Sequence, residues 1–213
     1  MVIAIDGPAG AGKSTVARAL SRALGITYLD SGAMYRCVAL TVLRAGADLD
    51  DPGAVGALAE RAEIELDGGR VRVGGEDVTA AIRSPQVSAA ASRISVHPEV
   101  RRAMVARQRE LIAAGRYVAE GRDIGTVVSP EAPLKVFLSA TDAERARRRA
   151  AETGESVDAV LAAQAVRDSR DRERAHGPLR VAADAIEVDT TGLTVDEVVD
   201  RLAGLARERG LVG

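Results

Sequence analysis

The chain opens on an apolar run, Val2-Ile3-Ala4-Ile5, of the length of one buried strand. A glycine-rich turn follows. Apolar residues at Val16, Ala17, Leu20, Ala23 and Leu24 then recur at helical spacing from Thr15 to Leu24, and Gly25 is placed to cap that helix. Thr27-Tyr28-Leu29 precedes Asp30-Ser31-Gly32, and a second helical pattern runs from about Ala33 to Leu43 and ends at Gly46. Asp51-Pro52 opens another short helix, with proline just inside its start. At Ile64 the period changes to two. Ile64-Glu65-Leu66 and Arg70-Val71-Arg72-Val73 flank Asp67-Gly68-Gly69, which predicts a β-hairpin that Gly74 to Val78 continues. Helical segments follow at about Ser84–Ser95 and Glu99–Ala114, broken by His97-Pro98. Tyr117-Val118-Ala119, Leu134–Leu138 and Ala185–Val188 read as strands. Ala143–Ala151, Val157–Arg174 and a segment N-capped by Thr194, with Glu197 completing a capping box, read as helices.

Strands alternating with helices imply an α/β fold, a mostly parallel sheet with helices on both faces. The block from about 64 to 114 looks like an insertion. Composition narrows the function classes. Two hundred residues bury a sizeable core, and no apolar run approaches the roughly 18–20 residues of a membrane span. The first residues lack the pattern of a signal peptide. One cysteine, Cys37, excludes an internal disulfide and a cysteine-based zinc site, and with only two histidines transition-metal catalysis is disfavoured. A reducing cytosol fits this usage. A net charge of −2 and four aromatic residues, three Tyr and one Phe, argue against nucleic-acid binding. The basic residues are lopsided: of 29, only Lys13 and Lys135 are lysines. Codon bias accounts for most of the arginines, but some are candidates to clamp phosphate or carboxylate.

The strongest local signal is Gly7-Pro8-Ala9-Gly10-Ala11-Gly12-Lys13-Ser14, a match to G-x-x-x-x-G-K-[ST] between an apolar strand and a helix. Glycines let backbone amides turn onto an anion, and the helix N-terminus adds partial positive charge. Lys13 would reach the β- and γ-phosphates of a nucleoside triphosphate, and the Ser14 hydroxyl would ligate Mg²⁺. Gly7, Pro8, Ala9, Gly10, Ala11, Gly12, Lys13, Ser14 and Thr15 are therefore the candidate ATP-binding residues. The chain lacks the Asn-Lys-x-Asp base-reading motif that a switch GTPase would need. Strand 134–138 ends in Ser139-Ala140, where a motor-type ATPase would want an aspartate. A small-molecule kinase leads.

Three clusters are candidates for the phosphoryl acceptor. Asp30-Ser31-Gly32-Ala33-Met34-Tyr35-Arg36 opens a helix, where an anion fits, although Asp30 or Ser31 could be only an N-cap. Gly121-Arg122-Asp123-Ile124-Gly125-Thr126 lies at the carboxyl end of a strand, where ligands of α/β sheets bind, although it also reads as a turn with an internal ion pair. Arg167-Asp168-Ser169-Arg170-Asp171-Arg172-Glu173-Arg174 could be a solvated face, but Arg167, Asp171 and Arg174 share one side of the helix.

These motifs, in this order and spacing, together with Gly75-Glu76-Asp77-Val78 and Ile82-Arg83 in the insertion, resemble the bacterial cytidylate kinases over essentially the whole chain. The resemblance implies a single P-loop NTPase domain over 1–213, of three layers. A hairpin-and-helix insertion at 64–114 would cover the acceptor site, and a mobile lid would lie at 154–177. It implies ATP-dependent phosphorylation of CMP and dCMP to CDP and dCDP, with Mg²⁺ as the cofactor. Lys13, Arg122 and Arg174 would be catalytic. Arg36, Arg122 and Arg174 would grip the acceptor 5′-phosphate, and Ser31 would also contact the acceptor. Ser92, Arg101 and Asp123 would read the cytosine, Arg167 and Asp171 would hold the ribose, and Tyr35 would pack near it. Asp6 and Asp30 are candidates to lie behind the metal's own ligands. Cys37 and His97 read as structural. The expected partners are ATP and CMP or dCMP, with no membrane or nucleic acid, and a monomer is the default. A kinase for another acceptor and a non-catalytic nucleotide switch are the alternatives.

Overall fold

The structure is a computed structural model that describes residues 1–212, and these divide into two compact units, residues 1–28 with 112–212 and residues 29–111. In the first unit, β1 (Val2–Asp6) pairs in parallel with β6 (Tyr117–Gly121) on one side and β7 (Leu134–Ser139) on the other. β8 (Ile186–Asp189) pairs in parallel with β7, and the five-stranded order is β2-β6-β1-β7-β8, with β2 at Thr27–Asp30. All five residues of β1 are buried, so its continuous apolar run reflects a strand covered on both faces. α1 (Lys13–Leu24) and α8 (Val195–Glu208) pack on each other. Val16, Leu20, Val198 and Leu202 join Ile3, Ile5, Val118, Val136 and Leu138 in one core. Gly25 closes α1 in the left-handed conformation at φ 63°, donating its amide to the Arg22 and Ser21 carbonyls. Thr194 and Glu197 form the capping box of α8. α6 (Asp142–Thr153) and α7 (Val157–Glu173) pack together. The parallel sheet and its helices are those the hydrophobic pattern predicts.

In the second unit, α2 (Ser31–Ala45) packs on α3 (Pro52–Arg61), on a 3-10 turn (Ala81–Arg83) and on α4 (Pro85–Ile94). Asp30 caps α2 by accepting the Ala33 amide at 2.8 Å, so the helix begins at Ser31, two residues before the apolar spacing starts. Asp51 and Ser84 cap α3 and α4, each ahead of a proline in the first turn. The hairpin is present as β3 (Ile64–Asp67), β4 (Arg70–Val73) and β5 (Glu76–Asp77), in antiparallel order. α5 (Pro98–Ala113) leads out of the unit. α5 passes so close to α3 that a Cβ on Gly56 would lie 2.6 Å from Glu99 Cβ. The change of texture at Ile64 marks the hairpin. The compact unit starts earlier, at Leu29, because α2 packs on α4.

Candidate functional site

The glycine loop joins β1 to α1. Gly7 has φ 150°, and a Cβ there would lie 2.0 Å from the Leu138 carbonyl oxygen, so β7 leaves room for glycine alone. Gly12 stands in the left-handed region at φ 84° as the N-cap of α1, with no side-chain cap. The first amides of α1 are thereby left to an anion. Lys13 is buried, and its Nζ donates to the Pro8 carbonyl at 2.6 Å, back across the loop. Burial pushes the Lys13 ammonium down to about 7; Arg122 and Arg167 add to this, while Glu120 and Asp171 oppose it. An anion placed beside such a group would restore its charge. Ser14, next along the helix, is exposed. A single hydroxyl suits Mg²⁺, which takes few protein oxygens and fills its shell with water and phosphate oxygens. Among the described residues no cluster of three or more His, Cys, Asp or Glu could hold a metal.

Beyond β6, Arg122 Nε donates to Asp171 Oδ2 at 2.8 Å. Arg174 stands 3.8 Å from Asp171 Oδ1 and 3.7 Å from Asp123 Oδ1, and its Nε donates to the Gly177 carbonyl at 2.5 Å. Burial raises the Asp171 carboxyl, but Arg122, Arg167 and Arg174 more than offset this and hold it below the ordinary range. Burial works against Arg122's charge, and Asp171, Glu120 and Asp168 outweigh it, so the guanidinium is held charged. The turn that carries Arg122 and Asp123 is pinned by Asp6. Asp6 Oδ1 accepts the Ile124 amide at 2.8 Å and Oδ2 the Gly125 amide at 2.7 Å. A π-helical turn at Ile124–Val128 follows, in which the Val127 and Val128 amides both donate to the Asp123 carbonyl. Asp6 is thus committed to the backbone.

The second unit holds its own set. Arg36 Nη2 pairs with Asp30 Oδ2 at 2.9 Å, while Asp30 Oδ1 caps α2. Arg101 is buried. Its Nη1 donates to the Tyr35 hydroxyl at 3.3 Å, and its guanidinium lies 6.0 Å from the Tyr35 ring centre. Ser31 and Ser92 are buried. Burial pushes the Cys37 thiol up to about 12, and His97 Nε2 lies 2.7 Å from the Leu49 carbonyl; both fit a structural reading.

The structure therefore brings together Lys13, Arg122, Asp123, Asp171 and Arg174 in the first unit, and Tyr35 with Arg101 in the second. Asp6, a sequence candidate to lie behind the metal's own ligands, spends both carboxylate oxygens on the turn of Arg122 and Asp123. Two further residues with structural consequences for the site are absent from the motif reading. Arg145, held by Ala9 and Asp168, is masked by an arginine-rich helix. Thr190 is buried, and its hydroxyl donates to the Ala11 and Ser139 carbonyls at 3.3 and 3.0 Å.

Comparison with known proteins bears on the fold and on the family. Solved structures of a gluconokinase from Sinorhizobium meliloti (TM-score 0.50, 20% identity, 98% and 93% of the two chains) and a shikimate kinase from Bacteroides thetaiotaomicron (TM-score 0.50, 16% identity, 97% and 98%) share the fold. The cytidylate kinase of Solibacter usitatus is 50% identical, over 98% of this chain and 93% of its own. That of Mycobacterium avium is 49% identical, over 100% and 97%. The cytidylate kinase family model matches residues 3–208, and with that span and those identities the chain belongs to the cytidylate kinase family.

Proposed function

We propose that the protein transfers the γ-phosphoryl group of ATP to the 5′-phosphate of CMP or dCMP, giving CDP or dCDP. Beyond family membership, one observation carries the site assignment: the cluster of buried Asp123, Asp171 and Arg174 with half-buried Arg122, in the electrostatic field of Lys13. Lys13 and the loop amides from Gly7 to Thr15 hold the phosphates of ATP. Mg²⁺, held by Ser14, neutralises phosphate charge when bound. Arg36, Arg122 and Arg174 grip the acceptor phosphate, with Ser31 and Tyr35 beside it. The Asp123 carboxylate accepts from the cytosine N4 amine, and Ser92 and Arg101 donate to the ring's acceptors. Arg167 and Asp171 hold the ribose hydroxyls.

The acceptor oxygen is anionic near neutral pH, so no dedicated base is needed. Alignment and charge stabilisation carry the reaction, which accounts for a site rich in arginine and empty of histidine. Closure of segments 64–114 and 154–177 would exclude water and suppress ATP hydrolysis. A monomer in the cytoplasm completes the proposal.

The test is ADP release with CMP, dCMP, UMP and AMP as acceptors. CMP and dCMP should lead; a flat panel would remove the cytosine assignment. Lys13→Ala should lower turnover by roughly 10²–10³-fold or more with the fold retained. Asp123→Ala should reduce the preference for CMP over UMP by roughly 10–100-fold.

A further inference from the structure

Arg145 stands in the second turn of α6 and is 2% exposed. Its guanidinium reaches two other parts of the first unit. Nη1 donates to the Ala9 carbonyl, in the glycine loop, at 2.7 Å. Nη2 lies 2.7 Å from Asp168 Oδ2, on α7, and 2.5 Å from the exposed Asp142. The backbone of Arg145 joins in, since its carbonyl accepts from Gln164 Nε2 at 3.2 Å. A Cβ on Gly10 would meet Gln164 Nε2 at 2.9 Å and Arg145 Cβ at 3.0 Å, so α6 and α7 sit directly against the loop. On α7 the buried residues Gln164, Asp168 and Asp171 fall at i, i+4 and i+7, one face of the helix. The first two meet Arg145 and the third meets Arg122.

Stability alone gives a poor account of the Arg145–Asp168 pair. Arg145 Nε and Asp168 Oδ1 are buried with no hydrogen-bond partner. Two desolvated charges with unsatisfied atoms gain little over an apolar pair of similar volume. What the charges supply is direction: a planar fork points one nitrogen at the loop and another at α7. We propose that Arg145 and Asp168 are positioning residues, which hold the acceptor-binding helix α7 in register with the donor-binding loop. The loop and residues 164–174 of α7 then shift together. Within the 154–177 segment, any lid motion independent of the loop is then confined to residues outside 164–174.

This rests on the phosphoryl-transfer reading, and the experiment separates the two. The full-length double variant Arg145→Met with Asp168→Leu is compared with the parent by thermal unfolding, by kcat and KM for ATP and CMP, and by amide exchange at residues 9–13 and 164–174. The Tm should stay at or above the parent's, while kcat falls roughly 30–100-fold, as for a misplacement near 1 Å. Exchange in both segments should rise together, by about tenfold or more. Asp168→Asn, assayed well below its own Tm, should lower kcat at least about tenfold and raise exchange in the same two segments. Unchanged exchange in either variant while folded, or kcat within about threefold of the parent, overturns the positioning role. A parent that releases no ADP with CMP overturns the reaction instead, and the exchange result still decides the positioning.

Discussion

Asp6 uses both carboxylate oxygens on backbone amides, a pairing that an asparagine cannot reproduce because its nitrogen would face an amide hydrogen. Asp6→Asn should therefore lower stability by about 1–3 kcal/mol and release the turn of Arg122 and Asp123. In steady-state kinetics kcat should fall more than KM for ATP rises. A fall confined to KM for ATP would place Asp6 at the donor instead. Burial pushes the Asp6 carboxyl up to about 6, against the pull of the two amides.

Lys13 gives a second prediction at this scale. Its ammonium is pushed down to about 7 in the free protein, and phosphate restores it, so ATP binding takes up a proton at about pH 8. Calorimetry in buffers of different ionisation enthalpy measures this uptake; proton-neutral binding would contradict the assignment. Unfolding returns Lys13 to its ordinary value of 10.5, so the unfolded chain binds more protons between about 7 and that value. The contribution of Lys13 to stability accordingly rises with pH across that window. Lys13 was legible in the sequence because a defined spacing surrounds it. The role of Asp6 and the identity of Arg145 were not, because the turn that Asp6 holds and the loop carbonyl that Arg145 meets each lie more than a hundred residues away, and Arg145 is hidden in an arginine-rich segment.

Among the elements, those closed by local chemistry could be read directly. Gly25, Gly46, Asp51-Pro52 and the Thr194–Glu197 box end or begin helices where the sequence places them. The π-helical turn at Ile124–Val128 had no local sign, since the amides of its first two residues are held by a carboxylate from β1. The glycine loop is shaped by β7 as well as by its own residues. Gly7→Ala would drive a Cβ into the Leu138 carbonyl oxygen. That variant should fold with a displaced loop or fail to fold, with ATP affinity reduced by roughly 100-fold or more when folded, as measured by titration. Near-parental affinity would mean that the loop has room the structure does not show.

For the whole molecule, hydrophobic periodicity carried the α/β reading, the strands of the parallel sheet and the hairpin. It did not reveal that the second compact unit begins at Leu29, because that depends on α2 packing against α4, some fifty residues further along. Nor does a net charge of −2 describe how charge is arranged locally, since Arg122 and Arg174 are gathered around the buried carboxylate of Asp171.

The Thr190 hydroxyl bridges the loop carbonyl of Ala11 and the β7 carbonyl of Ser139, and Arg148 donates to that hydroxyl at 3.0 Å and to the Thr190 carbonyl at 2.7 Å. The nucleotide loop lies near the beginning of the chain, yet its last fastening lies near the end. A polypeptide emerging from the ribosome carries the loop sequence before its clasp and gains a finished anion cradle only once the 179 positions from Ala11 to Thr190 have been added. Chains stalled before Thr190 should not retain ATP analogue, whereas chains stalled late enough to expose α8 should; capture by the early set would show that the cradle closes without its clasp. Nascent fragments would then be spared from sequestering or hydrolysing ATP, the timing being written into the order of the strands.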